Sequence, residues 1–430
     1  MFGGIMFWEV TRYFKYDWIE RYWIAPRFNF SYWPFNFQPL PGDGMYIVWG
    51  ALGVLALFIF LGFLYRISTV LFFLLFSYTY LLEQARYLNH FYLVILVSLV
   101  LIFLPAHRGF SIDSVIFKKK STDYAPAWSL WLVRFLIGVP YFFGGIAKIN
   151  PDWLRGYPLK RWLLGDVDFP LIGKYFTEEW MIMIMSYSGL ILDLAVVPIL
   201  LFKRTRKWGF VIICIFHLMN AQLFSIGIFP WFMIASTTLF FPPDWPRPLL
   251  SKAGLNEADT PLKGLQSFSL PGAKKQKLIL WSLALFVGIQ ILLPFRHLVI
   301  PGNVHWTEEG HRYAWHMKLR SKSGNTAFYI KNKESGITSL VNTRAYLTSW
   351  QEDKMAGKPY MIWEFAQHLK EEHDKLGIEI EVYVNAFASL NGRQYQEIIN
   401  PETDLASVPK PVFGSAPWII PLTTPLKNQR

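Results

Sequence analysis

Lys148 ends the run WSLWLVRFLIGVPYFFGGIA (128–147), which carries a single charge, Arg134, and is long enough to cross a bilayer. An ammonium there either snorkels to the interface and anchors the helix end, or lies at membrane depth and marks a functional site. A lysine works as a base near neutral pH where burial lowers its pKa from about 10.4 by roughly 3–5 units. The pair Gly144-Gly145 just before it lets another helix or a flat ligand approach the backbone closely. Asn89-His90 opens another apolar run, and Asp193 interrupts a third. His217 and Asn220 are three apart in FHLMNAQLFSIG and share a helix face, with Gln222 close by on a different one. A lysine, a histidine and an amide around an apolar cavity suit an amphipathic quinol better than a sugar or a nucleotide.

Each of these residues also has a structural reading. His217 with Asn220 is equally an interhelical hydrogen-bonding pair, worth about 1 kcal/mol in a membrane. Arg134 and Asp193 are expected to pair and neutralise each other, and His90 has an interfacial reading. His305, His311 and His316 match no tight metal-ligand spacing, so no metal is expected. Cys214 is the lone cysteine, which excludes an intrachain disulfide and a Cys-based metal site.

The elements that must position these groups are helices in a membrane. The 430 residues are 53% hydrophobic and 17% charged, where a soluble chain carries about 25% charged residues. Apolar windows lie at 45–65, 67–83, 90–106, 128–149, 179–202, 208–228, 229–241 and 277–295. They predict a polytopic α-helical membrane protein of about eight or nine membrane segments over residues 1–295. The windows 67–83 and 229–241 are short enough to be tilted, re-entrant or buried among other helices. Residues 1–15 read as the second half of a further, truncated spanning helix, and the aromatic 16–43 stretch as an interfacial belt. The +12 formal charge calls for no nucleic acid, because much of it lies in short loops, as the positive-inside rule expects. Placing 117–122, 203–207 and 247–277 in the cytoplasm sends 16–43, 84–90, 150–178 and the chain after 296 outward. Lys148 and Asn89-His90 then lie at one depth, beneath the C-terminal region.

From 296 to 430 the pattern changes. Strand alternation appears in 314–322, 326–332 and 378–390, interrupted by an amphipathic helix near 360–375. Asn391-Gly392 signals a hairpin joining 378–390 to 393–400. A β-rich, sandwich-like extramembrane domain is expected.

At these residues the chain resembles the vitamin K-dependent γ-glutamyl carboxylases, within the wider horizontally transferred transmembrane domain superfamily. GGIAKINPDWLRGY (144–157) is similar to the segment that carries the family's catalytic lysine, which falls on Lys148. LNHFYL (88–93) is similar to the segment with a functional histidine, which falls on His90 with Asn89 before it. FHLMNAQLFSIGIF (216–229) and LFFPPDWPRPLL (239–250) match long family stretches, and weaker similarity runs from about 45 to the end. The departures are Ala147, where the animal enzymes have a second lysine, Arg320 in place of a histidine, a shorter tail, and no partner for Cys214.

The resemblance implies γ-carboxylation of peptidyl glutamate coupled to formation of vitamin K 2,3-epoxide, with reduced vitamin K (phylloquinol or menaquinol) as cofactor and O2 and CO2 as co-substrates. It implies Lys148 as initiating base, His90 and Asn89 at the substrate carboxylate, and His217 and Asn220 holding a quinone oxygen or the glutamate. Tyr141, a little under two turns before Lys148, and Gln222 are expected on the wall of the same cavity. Partners are then a glutamate-containing peptide or protein and membrane lipid. Length and lack of disulfides suggest a bacterial inner membrane, with the active site and C-terminal domain toward the periplasm. Two other readings stay open: a quinol epoxidase that carboxylates no protein, and a non-enzymatic membrane binding or scaffold protein.

Overall fold

The computed structural model describes residues 1–107, 111–116, 125–246, 271–409 and 416–426. The basic stretches expected at 117–122 and over most of 247–277 lie outside them, as do residues 247–250 of the LFFPPDWPRPLL segment. The apolar windows become helices: α1 Phe2–Lys15, α2 Gly44–Leu61, α3 Tyr65–Leu81, α4 Asn89–Phe103, α5 Ala127–Ala147, α6 Glu179–Leu201, α7 Arg206–Phe224, α8 Phe229–Thr237 and α9 Ala273–Leu292. Five of the described helices are long and apolar enough to cross a membrane, namely 44–61, 127–148, 179–201, 206–224 and 273–299. The segments 65–81, 89–103 and 229–240 are apolar but shorter.

Local chemistry sets the helix ends. Gly62 adopts φ +65° and closes α2, its N–H bonding to the carbonyl of Ile59 while Phe63 bonds to Phe58. Two residues later α3 begins, and the carboxylate of Asp113 accepts the Leu64 and Tyr65 N–H groups at 2.7 and 2.9 Å. A remote side chain thus satisfies donors that a helix start leaves free. On α5, a Cβ at Gly145 would lie 2.7 Å from Leu194 Cδ2 and 3.1 Å from the Leu194 nitrogen. Only glycine lets α6 come this near.

The C-terminal domain departs from the sandwich expected. Among the described residues it has one four-stranded antiparallel sheet in the order β2-β1-β3-β4, formed by β1 Lys322–Asn332, β2 Thr338–Leu340, β3 Ile380–Leu390 and β4 Gln396–Glu397. β1 and β3 pair along their whole length, Lys322 opposite Leu390 to Asn332 opposite Ile380. Helix α10 Ser349–Met355 precedes α11 Pro359–Asp374, which covers one face. The α11 stripe Met361, Ile362, Phe365, Ala366 and Leu369 shares a core with the inward positions Val382, Val384 and Ala386 of β3. The Asn391-Gly392 turn does form a hairpin, β3 pairing with β4 beyond it, and both residues have positive φ. Residues 314–321 are not the strand that their alternation suggested. They form an irregular loop, with positive φ at Trp315 and Lys318, because Trp315 inserts into the helical bundle's core.

The 16–43 stretch is also more than an interfacial belt. Phe30 is buried in the core of the C-terminal domain. Glu364 accepts Ser31 N–H at 2.5 Å, and Gln351 donates to the Phe28 carbonyl at 2.8 Å. Beneath this strap Glu83 is buried, accepting from Ala85 N–H at 2.8 Å, Gln351 at 2.9 Å and Asn29 at 3.3 Å. A second tie is the fork of Arg393 on Asp152, two bonds of 2.7 Å, to which Asn391 adds a third at 2.7 Å.

Burial raises the Glu83 carboxyl from the ordinary 4.5 to about 8, against the opposing effect of its N–H donors. Between those values the unfolded chain has lost the proton and the folded chain keeps it, so Glu83 contributes stability that declines as pH rises toward 8. Glu83→Gln is expected to flatten this decline in thermal melts across pH 5–8.5. An unchanged slope would mean that Glu83 is not its source.

Candidate functional site

The helices and the 311–320 loop enclose a cavity of about 740 Å³. Lys148, His90, Asn89, His217, Asn220, Tyr141 and Asp193 all line it. Gln222, expected on the same wall, does not: it is exposed, because it lies off the α7 face that carries His217 and Asn220.

Lys148 is 7% exposed, and its Nζ lies 2.5 Å from Asp193 Oδ2. It also donates to the Gly144 carbonyl at 3.4 Å and lies 5.1 Å from the Trp153 ring centre. This corrects the expected Arg134–Asp193 pair. The helices α5 and α6 run side by side with Gly144 level with Asp193 and Gly138 level with Val197. Arg134 is ten residues before Gly144, about 15 Å along the helix, too far to reach. It instead donates to the carbonyls of Leu239 and Phe241, at 2.8 and 3.3 Å, at the end of the helical stretch that α8 begins. Lys148 is also not at the rim: Asp193 lies 14 residues into α6, about 21 Å from its start. The 150–178 segment closes over it, with Trp153 buried and hydrogen-bonded to Ser186 in both directions at 3.0 and 2.7 Å.

A second pair lines the same cavity, with Tyr141 about two helical turns before Lys148. Tyr141 Oη and His217 Nε2 are 2.7 Å apart, and His217 Nδ1 is buried without a partner. With Tyr141 donating, the ring proton sits on Nδ1 and a hydrogen-bond donor is left over. The Phe229 ring stands 5.8 Å from both His90 and His217. Asn89 is largely engaged, its Oδ1 accepting from Tyr87 at 2.9 Å and its Nδ2 donating to the His316 carbonyl at 3.3 Å.

Sequence reasoning missed the cationic rim. Arg86 donates to Tyr13 at 3.3 Å and lies 4.3 Å over the Tyr22 ring, and Lys318 lies over Trp162 and Phe224 at 5.2 and 5.4 Å. With Lys354 they line the cavity without a carboxylate partner among the described residues, whereas Arg12 is paired to Glu9 at 2.7 Å. No periodic signal joins these three residues, which lie far apart in the chain.

Arg320, the departure flagged in the sequence, lies outside this cavity. It forks onto Glu308 at 2.8 and 2.7 Å. Burial would raise that carboxyl, but Arg320, His311 and Lys322 hold it well below the usual range. Among the described residues, no group of three His, Cys, Asp or Glu is disposed to hold a metal ion.

The HTTM domain model matches residues 1–245, and the model of the vitamin K-dependent gamma-carboxylase lumenal domain matches residues 275–425. The chain belongs to the vitamin K-dependent γ-carboxylase family. It is a multi-pass membrane protein with that family's lumenal domain at its C-terminal end. No solved structure matches it. In this family member the lysine meets its carboxylate only because Gly144 and Gly145 bring α5 against α6. Gly145→Val places methyls against the Leu194 backbone and is expected to cost about 1–3 kcal/mol. A lowered melting temperature in detergent checks it; wild-type stability would show that the approach is not needed.

Proposed function

We propose that the chain uses reduced vitamin K, O2 and CO2 to γ-carboxylate peptidyl glutamate, forming vitamin K 2,3-epoxide, at the outer, periplasmic side of a bacterial inner membrane. One observation carries this reading: a buried Lys148–Asp193 pair lines a cavity rich in aromatic side chains, as does His217, whose Nδ1 has no partner among the described residues. The residues fit the cofactor. A quinol's flat ring suits the Tyr141, Phe216 and Phe229 surroundings, and its oxygen suits the free donor on His217. When bound, reduced vitamin K supplies the reducing power through which O2 chemistry generates a base strong enough for the glutamate γ-proton.

The protein's own part begins at Nζ of Lys148. With Asp193 at 2.5 Å, the ammonium can pass a proton to Oδ2 without heavy-atom movement. That transfer leaves a neutral amine beside a neutral acid. The amine can then accept a proton from a hydroxyl in the cavity, general base catalysis by a positioned group. Tyr141 fixes the His217 tautomer, and His217 with Asn220 orients the bound ring. His90, held between the Phe91 and Phe229 rings, faces the space left for a glutamyl side chain, and the Arg86, Lys318 and Lys354 rim favours acidic peptide. The Trp153 cover and the Trp315 loop keep water from the reacting atoms.

Purified protein in nanodiscs, given reduced vitamin K, O2, labelled bicarbonate and a glutamate peptide, tests the reading. Lys148→Ala is expected to abolish both epoxide and incorporated label while leaving the fold intact; normal epoxide formation would remove Lys148 as the initiating base. His90→Ala is expected to lower label incorporation more than epoxide. Equal loss of both would count against a role on the peptide side. Epoxide from wild type with no label would leave only quinol oxidation.

A further inference from the structure

A second cavity, of about 560 Å³, lies on the other side of the 311–320 loop, and His316 lines both. His297 and His305 line the second cavity too, their ring centres 4.7 and 5.3 Å from that of His316. His305 and His316 are 6% and 5% exposed. Neither nitrogen of His316 has a hydrogen-bond partner, and Nδ1 of His305 has none. His297 Nδ1 is held by the Pro294 carbonyl at 2.8 Å, which leaves its Nε2 as the nitrogen available to the cluster. The second cavity's lining includes Ile149 and Leu298, 58% and 69% exposed, and both members of the Asp152–Arg393 ion pair.

Burying a polar nitrogen without a partner costs about 1–3 kcal/mol. Three such atoms side by side are therefore expensive as packing, and an apolar side chain would fill the space better. Their common property is that a neutral imidazole carries one N–H and one lone pair, so it can take a proton on one side and release one on the other.

We propose that His316 and His305, with His297 beside them, form a proton relay from the Lys148 cavity to the second cavity. The proposal rests on the function proposed above, which obliges one proton to leave a dry site in each turnover. A proton leaving the Lys148–Asp193 side adds to the lone pair of His316. No direct hydrogen bond joins the two rings, so the N–H on the other side of the His316 ring gives its proton to His305 through a bridging water, and the N–H proton of His305 passes to water or a buffer base in the second cavity. Each ring ends neutral with its tautomer reversed, and proton exchange with water between its two nitrogens resets it. One proton enters the chain and one leaves. Burial lowers His305 to about 4 and His316 to about 2, Arg320 adding to the effect and Glu308 opposing it, so both rings rest neutral at pH 7 and do not trap the proton they carry. Asn89, bonded to the His316 carbonyl, ties the head of the relay to the His90 end of α4.

The full chain in nanodiscs tests this in two ways. His316→Ala is expected to lower the epoxide-forming rate at saturating quinol by at least about tenfold, with KM unchanged. Added imidazole should restore the rate in proportion to its concentration, and should not do so in His316→Phe, where the ring fills the space. A wild-type rate in His316→Phe, or a loss in His316→Ala that imidazole leaves untouched, overturns the relay. In the ligand-free protein, 15N-histidine NMR reads the rings directly. Both His305 and His316 should exchange between tautomers, whereas one fixed tautomer at either position overturns the proposal. If wild type makes no epoxide, the proposed function fails, and the NMR result alone decides the relay.

Discussion

Lys148 and Asp193 meet in a space that neither could occupy alone. Taking either charge out of water costs several kcal/mol, and their attraction offsets that only when the contact is close. The 2.5 Å contact depends on how nearly α6 approaches α5. At Gly144 a Cβ would sit 3.2 Å from Asp193 Oδ2, and at Gly145 it would press on Leu194. Two missing side chains thus decide whether a buried charge pair exists at all. The pair itself carries no net charge, so an apolar ring can lie beside it without facing an isolated charge.

The rest of the cavity is organised around that pair by elements distant in sequence. Trp153 caps it from the segment after α5, and the Tyr141–His217 pair lines the same cavity. The C-terminal domain supplies a wall as well as a roof, because the loop carrying Trp315 and His316 descends into the bundle. Two ties hold the domain in place to do this: the Asp152–Arg393 fork and the strap that buries Phe30 against α11. Domain docking and site closure are therefore one structural event, and the buried Glu83 beneath the strap makes that junction sensitive to pH.

Much of this was legible in the sequence. The run ending at Lys148 gave both a spanning helix and a costly ammonium, and the 3-residue spacing of His217 and Asn220 placed both on the cavity face. Alternation in 326–332 and 378–390 marked the two long strands, and Asn391-Gly392 marked their hairpin partner. The failures share a cause. Alternation in 314–322 looked like a strand because one side of that loop packs in the bundle, which mimics a pleat without its hydrogen bonds. Asp193 was assigned to Arg134 because both are charges in apolar helices, and composition says nothing about which turns lie level.

By itself the sequence determined the apolar helices, the two long strands, the family and the list of polar groups too costly to bury idly, since these follow from local periodicity, composition and ungapped motifs. Only the tertiary structure decided which of those groups touch. It paired Lys148 with Asp193, gave Arg134 to helix-end carbonyls, turned Gln222 outward, tied Asn89 to the His316 backbone, and gathered three histidines at a second cavity. Those outcomes depend on the axial register and rotation of one helix against another and on where an irregular loop inserts. They are set by side-chain fit between segments many residues apart, which no local pattern encodes.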